Sequence, residues 1–172
     1  MEARCLTRPR LHLRGLREPC ARKHLPGRRL DPETGKLSAP AEPLDQLAQR
    51  FDYVLAEADG SKRLPLKAHA AWEPVIPAAR KRCLGRRASG LGKPVAKVVH
   101  RPELFCERCG CEPTDAATPE RVAMVLNAEL QMLNLDNARI MLNQVDTLAD
   151  PTMADCFEAA LGRPLIATSL QG

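Results

Sequence analysis

An α/β domain with a mostly parallel sheet and flanking helices is predicted from three observations. Apolar runs of strand length alternate with helix-period segments in the order strand, helix, strand, helix, strand. The helices between them carry start and stop residues. Polar residues follow the strand ends directly, where α/β sheets place their ligands. The chain has 172 residues, 44% of them hydrophobic and 27% charged, a composition that can bury a core and excludes a disordered chain.

Residues 1–30 lack a sustained period of 2 or 3.6 and contain Pro9, Gly15, Pro19, Pro26 and Gly27, so they are expected to form an irregular basic arm. Residues 31–172 are expected to form a single α/β domain. After the turn-rich DPETGKLSAPAEP comes a short helix over Leu44–Gln49, then a buried strand of Tyr53, Val54, Leu55 and Ala56. Residues 61–93 offer only apolar pairs too short for a strand assignment, and PVAKVV at 94–99 reads as a short strand. Thr118-Pro119-Glu120 is an N-cap, a proline at the first helical position and an acid in the first turn. Val122, Val125, Leu126, Leu130 and Leu133 continue it as one apolar stripe to about residue 134. Arg139–Asn143 is a strand, Asp150-Pro151 opens a helix that stops at Gly162, and Pro164–Thr168 closes the domain as a strand.

Charge is unevenly placed. The formal net charge is +5, but residues 1–40 hold ten Lys and Arg against four Asp and Glu, while residues 41–172 hold sixteen against seventeen. A second basic island comprises Arg80, Lys81, Arg82, Arg86 and Arg87. Nucleic acid is disfavoured as a partner, because none of the five aromatics lies in either basic stretch to stack a base. No apolar run reaches the about 18 residues of a membrane-spanning helix, and the N-terminus has no signal-peptide core. The expectation is a cytoplasmic protein, without a membrane partner, whose seven cysteines are reduced thiols.

Three motifs bear on chemistry. EADGSKRLPLK places Glu57, Asp59, Gly60, Lys62, Arg63 and Lys67 directly after a strand. Asp59 suits a metal-coordinating position of the magnesium type, Gly60 admits close backbone approach or positive φ, and the cations suit an anion. A solvated charged turn is the alternative. NQVD, Asn143 to Asp146, is similar to the NKxD guanine-binding element of GTPases with Gln144 in place of Lys, and Ser169 follows the next strand at the position of a second base-contacting loop. A phosphate loop requires GxxxxGK[ST]. ETGKLS has Leu30 and Leu37, and SGLGKP has Arg87 and Pro94, where that pattern needs Gly and Ser or Thr, so neither qualifies. Cys106, Cys109 and Cys111 have metal-like spacing with His100 nearby, but without a second CxxC zinc is disfavoured relative to metal-free thiols.

YVLAEADGSKRLPLKAHAAWEPVIP resembles the corresponding segment of the selenium-dependent hydroxylase accessory proteins, the YqeC family. LDPETGKLSAP, GLGKPVAKVVHRPELFCE and LNQVD resemble further segments of it, over roughly residues 31–172. The resemblance implies a P-loop NTPase-like α/β protein acting in maturation of selenium-dependent molybdenum hydroxylases, with Mg2+ and GTP or ATP as cofactors and the hydroxylase or its maturation proteins as partners. Carried over by position, Glu57 and Asp59 would work near magnesium, Lys62, Arg63 and Lys67 near an anion, and Asn143 and Asp146 near a base. Glu73, His100 and Arg101 match as well. Residues 1–30 carry no counterpart of the family's glycine-rich phosphate loop, which implies an N-terminally truncated, functionally impaired chain. AARKRCLGRRAS replaces an apolar strand after Pro77. Both departures coincide with the basic islands, as translation of GC-rich DNA in a shifted frame would give, so residues about 80–88 are expected to loop out or to weaken the sheet. The alternative from another class is a non-catalytic binding module, stabilised by zinc on the cysteines or binding nucleic acid through its basic arm.

Overall fold

A computed structural model describes residues 2–6, 23–24, 32–33, 42–43, 46–47, 49, 54–57, 60–73 and 82–169. The chain divides into two compact units, residues 1–60 with 74–78, and residues 61–73 with 79–172.

In the first unit, β1 (Glu2–Leu6) lies between β2 (Lys23–His24) and β3 (Val54–Glu57), antiparallel to both. β3 is the strand expected after residue 52, shifted by one residue. Its pairing differs from expectation: its partner is an antiparallel strand from the arginine-rich N-terminal stretch. Gln46, Leu47 and Gln49 are helical, with Leu47 fully buried, within the short helix expected there. Leu44, Ala48, Tyr53 and Asp59 lie outside the described residues.

The second unit holds the parallel sheets. β4 (Leu66–Lys67) pairs in parallel with β6 (Val99–His100). β7 (Arg139–Asn143) is central to a second sheet, flanked in parallel by β5 (Cys83–Arg87) and β8 (Leu165–Thr168). Ile140 and Leu142 of β7 are fully buried, as the middle strand of a parallel sheet requires. α/β architecture with mostly parallel sheets is therefore observed.

α1 (Val95–Val98) is one helical turn where a strand was expected. Val95 and Val98 are both buried at a spacing of three, so the β-branched run packs as a helix and turns extended only at Val99. α2 (Pro102–Cys109), not expected from the sequence, begins on a helix-compatible proline and ends at Gly110 in the left-handed conformation. α3 (Pro119–Met132) starts at the expected cap, with the Arg121 amide donating to Thr118 Oγ1 at 3.4 Å. It buries Val122, Val125, Leu126 and Leu130 and packs on α2 and on α4 (Thr152–Leu161), which stops at left-handed Gly162 as predicted.

The basic island does not loop out. Cys83–Arg87 pairs residue for residue with Arg139–Asn143, which corrects the expectation for that segment. Among the described residues β5 pairs with β7 alone, and its residues alternate between exposed and half-buried over Cys83–Arg86, so its arginines keep contact with water or partners.

Candidate functional site

The carboxyl ends of the three-stranded sheet bring Arg87, Asn143 and Thr168 side by side in register. Asn143 Oδ1 accepts from the Gln144 amide at 2.8 Å and from Thr168 Oγ1 at 3.0 Å, clasping the ends of β7 and β8 together. Gln144 then reverses the chain with φ of 63° into a 3-10 turn, Val145–Thr147, which leaves Asp146 exposed. Ser169 is exposed one residue beyond Thr168.

The turn Ser61–Leu64 meets this edge. Arg87 Nη2 donates to the Arg63 carbonyl at 2.6 Å, and the Arg87 amide donates to the Pro65 carbonyl at 3.4 Å. The Leu64 amide closes the turn on the Ser61 carbonyl at 2.9 Å. Both central residues, Lys62 and Arg63, have positive φ, 50° and 66°, and both are exposed. Left-handed backbone costs an ordinary residue about 1 kcal/mol or more, and such strain concentrates at functional positions. Positive φ, one of the two uses open to Gly60, falls instead on these two cations. Gly60 is exposed, and nothing lies within 4 Å of where a Cβ would stand.

Lys67 does not join that turn. It is 7% exposed, and its ammonium lies 2.8 Å from Glu73 Oε2. Glu73 Oε1 also pairs with Arg101, whose guanidinium lies 5.8 Å from the ring centre of exposed Trp72. His100 follows in β6, directly opposite Lys67. Of the remaining predicted residues, Glu57 ends β3 in the first unit, opposite Glu2, and Asp59 lies outside the described residues. Arg63, Asn143, Asp146 and Ser169 are thus gathered by the turn and the strand ends of one sheet, with Lys62 beside them.

A second cluster was missed in the sequence. Glu129, 1% exposed, accepts from the His69 amide and Arg108 Nη1 on Oε1 (2.7 and 2.8 Å). Its Oε2 lies 2.7 Å from His69 Nδ1 and 3.0 Å from Arg86 Nη2. Arg108 Nη2 also donates to the His69 carbonyl at 2.5 Å. Burial pushes the Glu129 carboxyl up, but the His69 hydrogen bond and the Arg86 charge outweigh it and hold the group below its ordinary value. The sequence signal was available: Glu129 lies three residues after Leu126 and seven after Val122, on the apolar stripe of α3.

SGLGKP is a packing element. A Cβ at Gly90 would stand 2.7 Å from Leu66 Cγ, and Gly92 has φ of 75°. The amides of Gly92, Val95 and Ala96 donate to the carbonyls of Ala117, Asp115 and Pro113 at 2.8–3.0 Å. Those donors are spent within the protein, so this segment supplies no amide cradle for a phosphate. A depression of about 480 Å3, lined by Asp136, Arg139, Arg163 and Ile166 among others, lies at the amino ends of β7 and β8, away from every predicted site residue.

Cys106, Cys109 and Cys111 meet where α2 ends, with Cys111 Sγ at 3.4 Å from each of the other two sulfurs. Burial and the hydrogen bond with Cys111 push the Cys106 thiol up to about 11 and the Cys109 thiol up to about 12. Among the described residues, no group of three or more His, Cys, Asp and Glu is arranged to hold a metal ion, and no helix is long and apolar enough to cross a membrane.

Residues 14–103 match the family model described as YqeC protein. The match begins at residue 14 and runs through the arginine-rich residues 80–88, so residues 14–30 and 80–88 lie within the matched span and residues 1–13 precede it. It ends before Asn143. No curated protein and no solved structure matches the chain.

Proposed function

Because the chain belongs to the YqeC family, we propose that it is an accessory factor for maturation of selenium-dependent molybdenum hydroxylases, working through a bound nucleotide on a P-loop NTPase-like frame. The observation that carries the nucleotide reading is the strained pair Lys62 and Arg63, held exposed at the carboxyl edge of a parallel sheet. Two solvent-exposed cations would not need a costly backbone to remain solvated, whereas an anionic ligand makes use of their fixed placement.

The donor set fits an anion gripped by side chains. Lys62 and Arg63 would meet its phosphates, and Asp146 would accept from a base, with Asn143 holding the loop through its contacts to Gln144 and Thr168. Ser169 lies beside that loop. Lys67 acts at one remove, by fixing Glu73 and through it Arg101. Glu57 and Asp59 are the residues proposed to work near magnesium. A bound nucleotide would supply phosphate charge to meet the two cations of the turn, and this chain's own residues would bind and orient it.

Thermal unfolding with GTP and with ATP, each with Mg2+, tests the reading. Ligand at a hundred times its Kd stabilises by about 2.7 kcal/mol, and the variant Lys62→Ala/Arg63→Ala should lose that shift. No shift with either nucleotide rejects nucleotide binding. The maturation role predicts that the hydroxylase, produced in cells lacking this chain, carries less selenium and less activity; equal selenium and activity would reject it.

A further inference from the structure

The carboxyl-terminal turn of α2 holds three thiols that neither the sheet edge nor the buried Glu129 cluster uses. Gly110 takes the left-handed conformation with φ of 65°. As a result the amides of Gly110 and Cys111 both donate to the Cys106 carbonyl, at 2.8 and 3.2 Å. This doubling back lays Cys111 over the last helical turn, with its sulfur 3.4 Å from that of Cys106. All three cysteines are free thiols and half-buried, so a small molecule reaches them in part.

We propose that Cys106 and Cys111 are a reversible thiol–disulfide exchange pair whose substrate is a low-molecular-weight disulfide. The two sulfurs are already in contact, and the backbone bond between the two residues fixes their approach, so little rearrangement separates the dithiol from the bonded state. Cys109 is equally close to Cys111, but only one residue separates them, and a ring that small strains the bond. Its sulfur also donates to the Phe105 carbonyl at 3.2 Å, which ties it back along the helix.

The exchange balances in two displacements. Cys111 thiolate attacks one sulfur of the small disulfide, forming a mixed disulfide and expelling the first small thiolate. Cys106 thiolate then attacks the Cys111 sulfur and expels the second. The two cysteine protons end on the two released thiolates, so two protein thiols are oxidised and one small disulfide is reduced to two thiols. Because Arg108 stands on the same helix and pairs with Glu129, oxidation fixes the end of the element that reaches the buried carboxylate.

Glutathione disulfide is the probe. The reduced full-length protein is incubated with it, remaining thiols are alkylated, and the denatured chain is cut with trypsin. Cleavage after Arg108 separates Cys106 from Cys109 and Cys111, so the proposed bond appears as two linked peptides, lost on reduction. The expected result is that linked pair, with Cys83 and Cys156 carrying glutathione or alkyl label singly. Cys111→Ser should abolish the link and Cys109→Ser should preserve it. Full alkylation of Cys106 and Cys111 after treatment would overturn the proposal. So would a bond confined to the Cys109–Cys111 peptide, a link that survives in Cys111→Ser, or stoichiometric zinc shielding the thiols of the reduced protein.

Discussion

Glu129 is one buried carboxylate answering two guanidinium groups and an imidazole. Removing one partner of a buried ionic cluster leaves uncompensated charge, at about 3–5 kcal/mol. Glu129→Ala should therefore lose roughly that much stability in chemical denaturation, and Arg86→Ala, at the 10% exposed end of the cluster, should lose less. The carboxyl's folded pKa lies below its ordinary value of 4.5. Its ionised form therefore stabilises the fold above that value, and the contribution is lost as pH falls through the lower folded value. A denaturation series from pH 7 downward should show stability declining below about 4.5, with the decline reduced in Glu129→Ala. Arg63 is a residue of the opposite kind, in which conformation is the cost. Arg63→Gly should relieve its left-handed strain and raise stability by up to about 1 kcal/mol. The same change should weaken nucleotide binding in the thermal-shift assay. Neither Glu129 nor Arg63 makes its role visible as a single letter, but Glu129 interrupts an apolar stripe, and Lys62-Arg63 follows a strand and a glycine.

At the level of elements, agreement between sequence and structure follows the number of local signals. α3 has an N-cap, a proline, an acid and a stripe, and its observed span of Pro119–Met132 lies within the expected one. β7 is apolar in the middle and polar at the end, and Arg139–Asn143 is the span expected. β5 was hidden because its pattern is that of an outer strand whose arginines find partners from other segments: Arg86 on Glu129 and Arg87 on the Arg63 carbonyl. Composition alone cannot announce such partners. α1 differs from the expected strand because two buried valines three apart sit in a β-branched run that suits either conformation. Thr118→Ala should cost about 1 kcal/mol by removing the cap on the Arg121 amide, measured as a shift in thermal midpoint. Gly90→Ala should cost about 1–3 kcal/mol, because the new Cβ would meet Leu66 and Pro65 at 2.7–3.0 Å.

At the level of the whole chain, the sequence carried the α/β class, the order of the later strands and the family. It did not carry the antiparallel partner of β3, since β1 comes from a stretch with no periodic pattern. The placement of the candidate residues was legible in proportion to its dependence on strand ends: Asn143, Asp146 and Ser169 stand at or just beyond the ends of β7 and β8, as the sheet rule expects, whereas nothing in the sequence pattern announces that Lys67 pairs with a carboxylate six residues later. The cluster around Glu129 has one more consequence. Its four side chains come from residues 69, 86, 108 and 129, with long stretches of chain between them. A half-gathered cluster would bury some of these charges without their counterparts, so partly assembled forms of this unit are penalised while the complete one is not. The carboxylate thus acts on the order of assembly: it makes closure of these four segments nearly simultaneous and narrows the population of intermediates in which an arginine-rich strand is left without its partner.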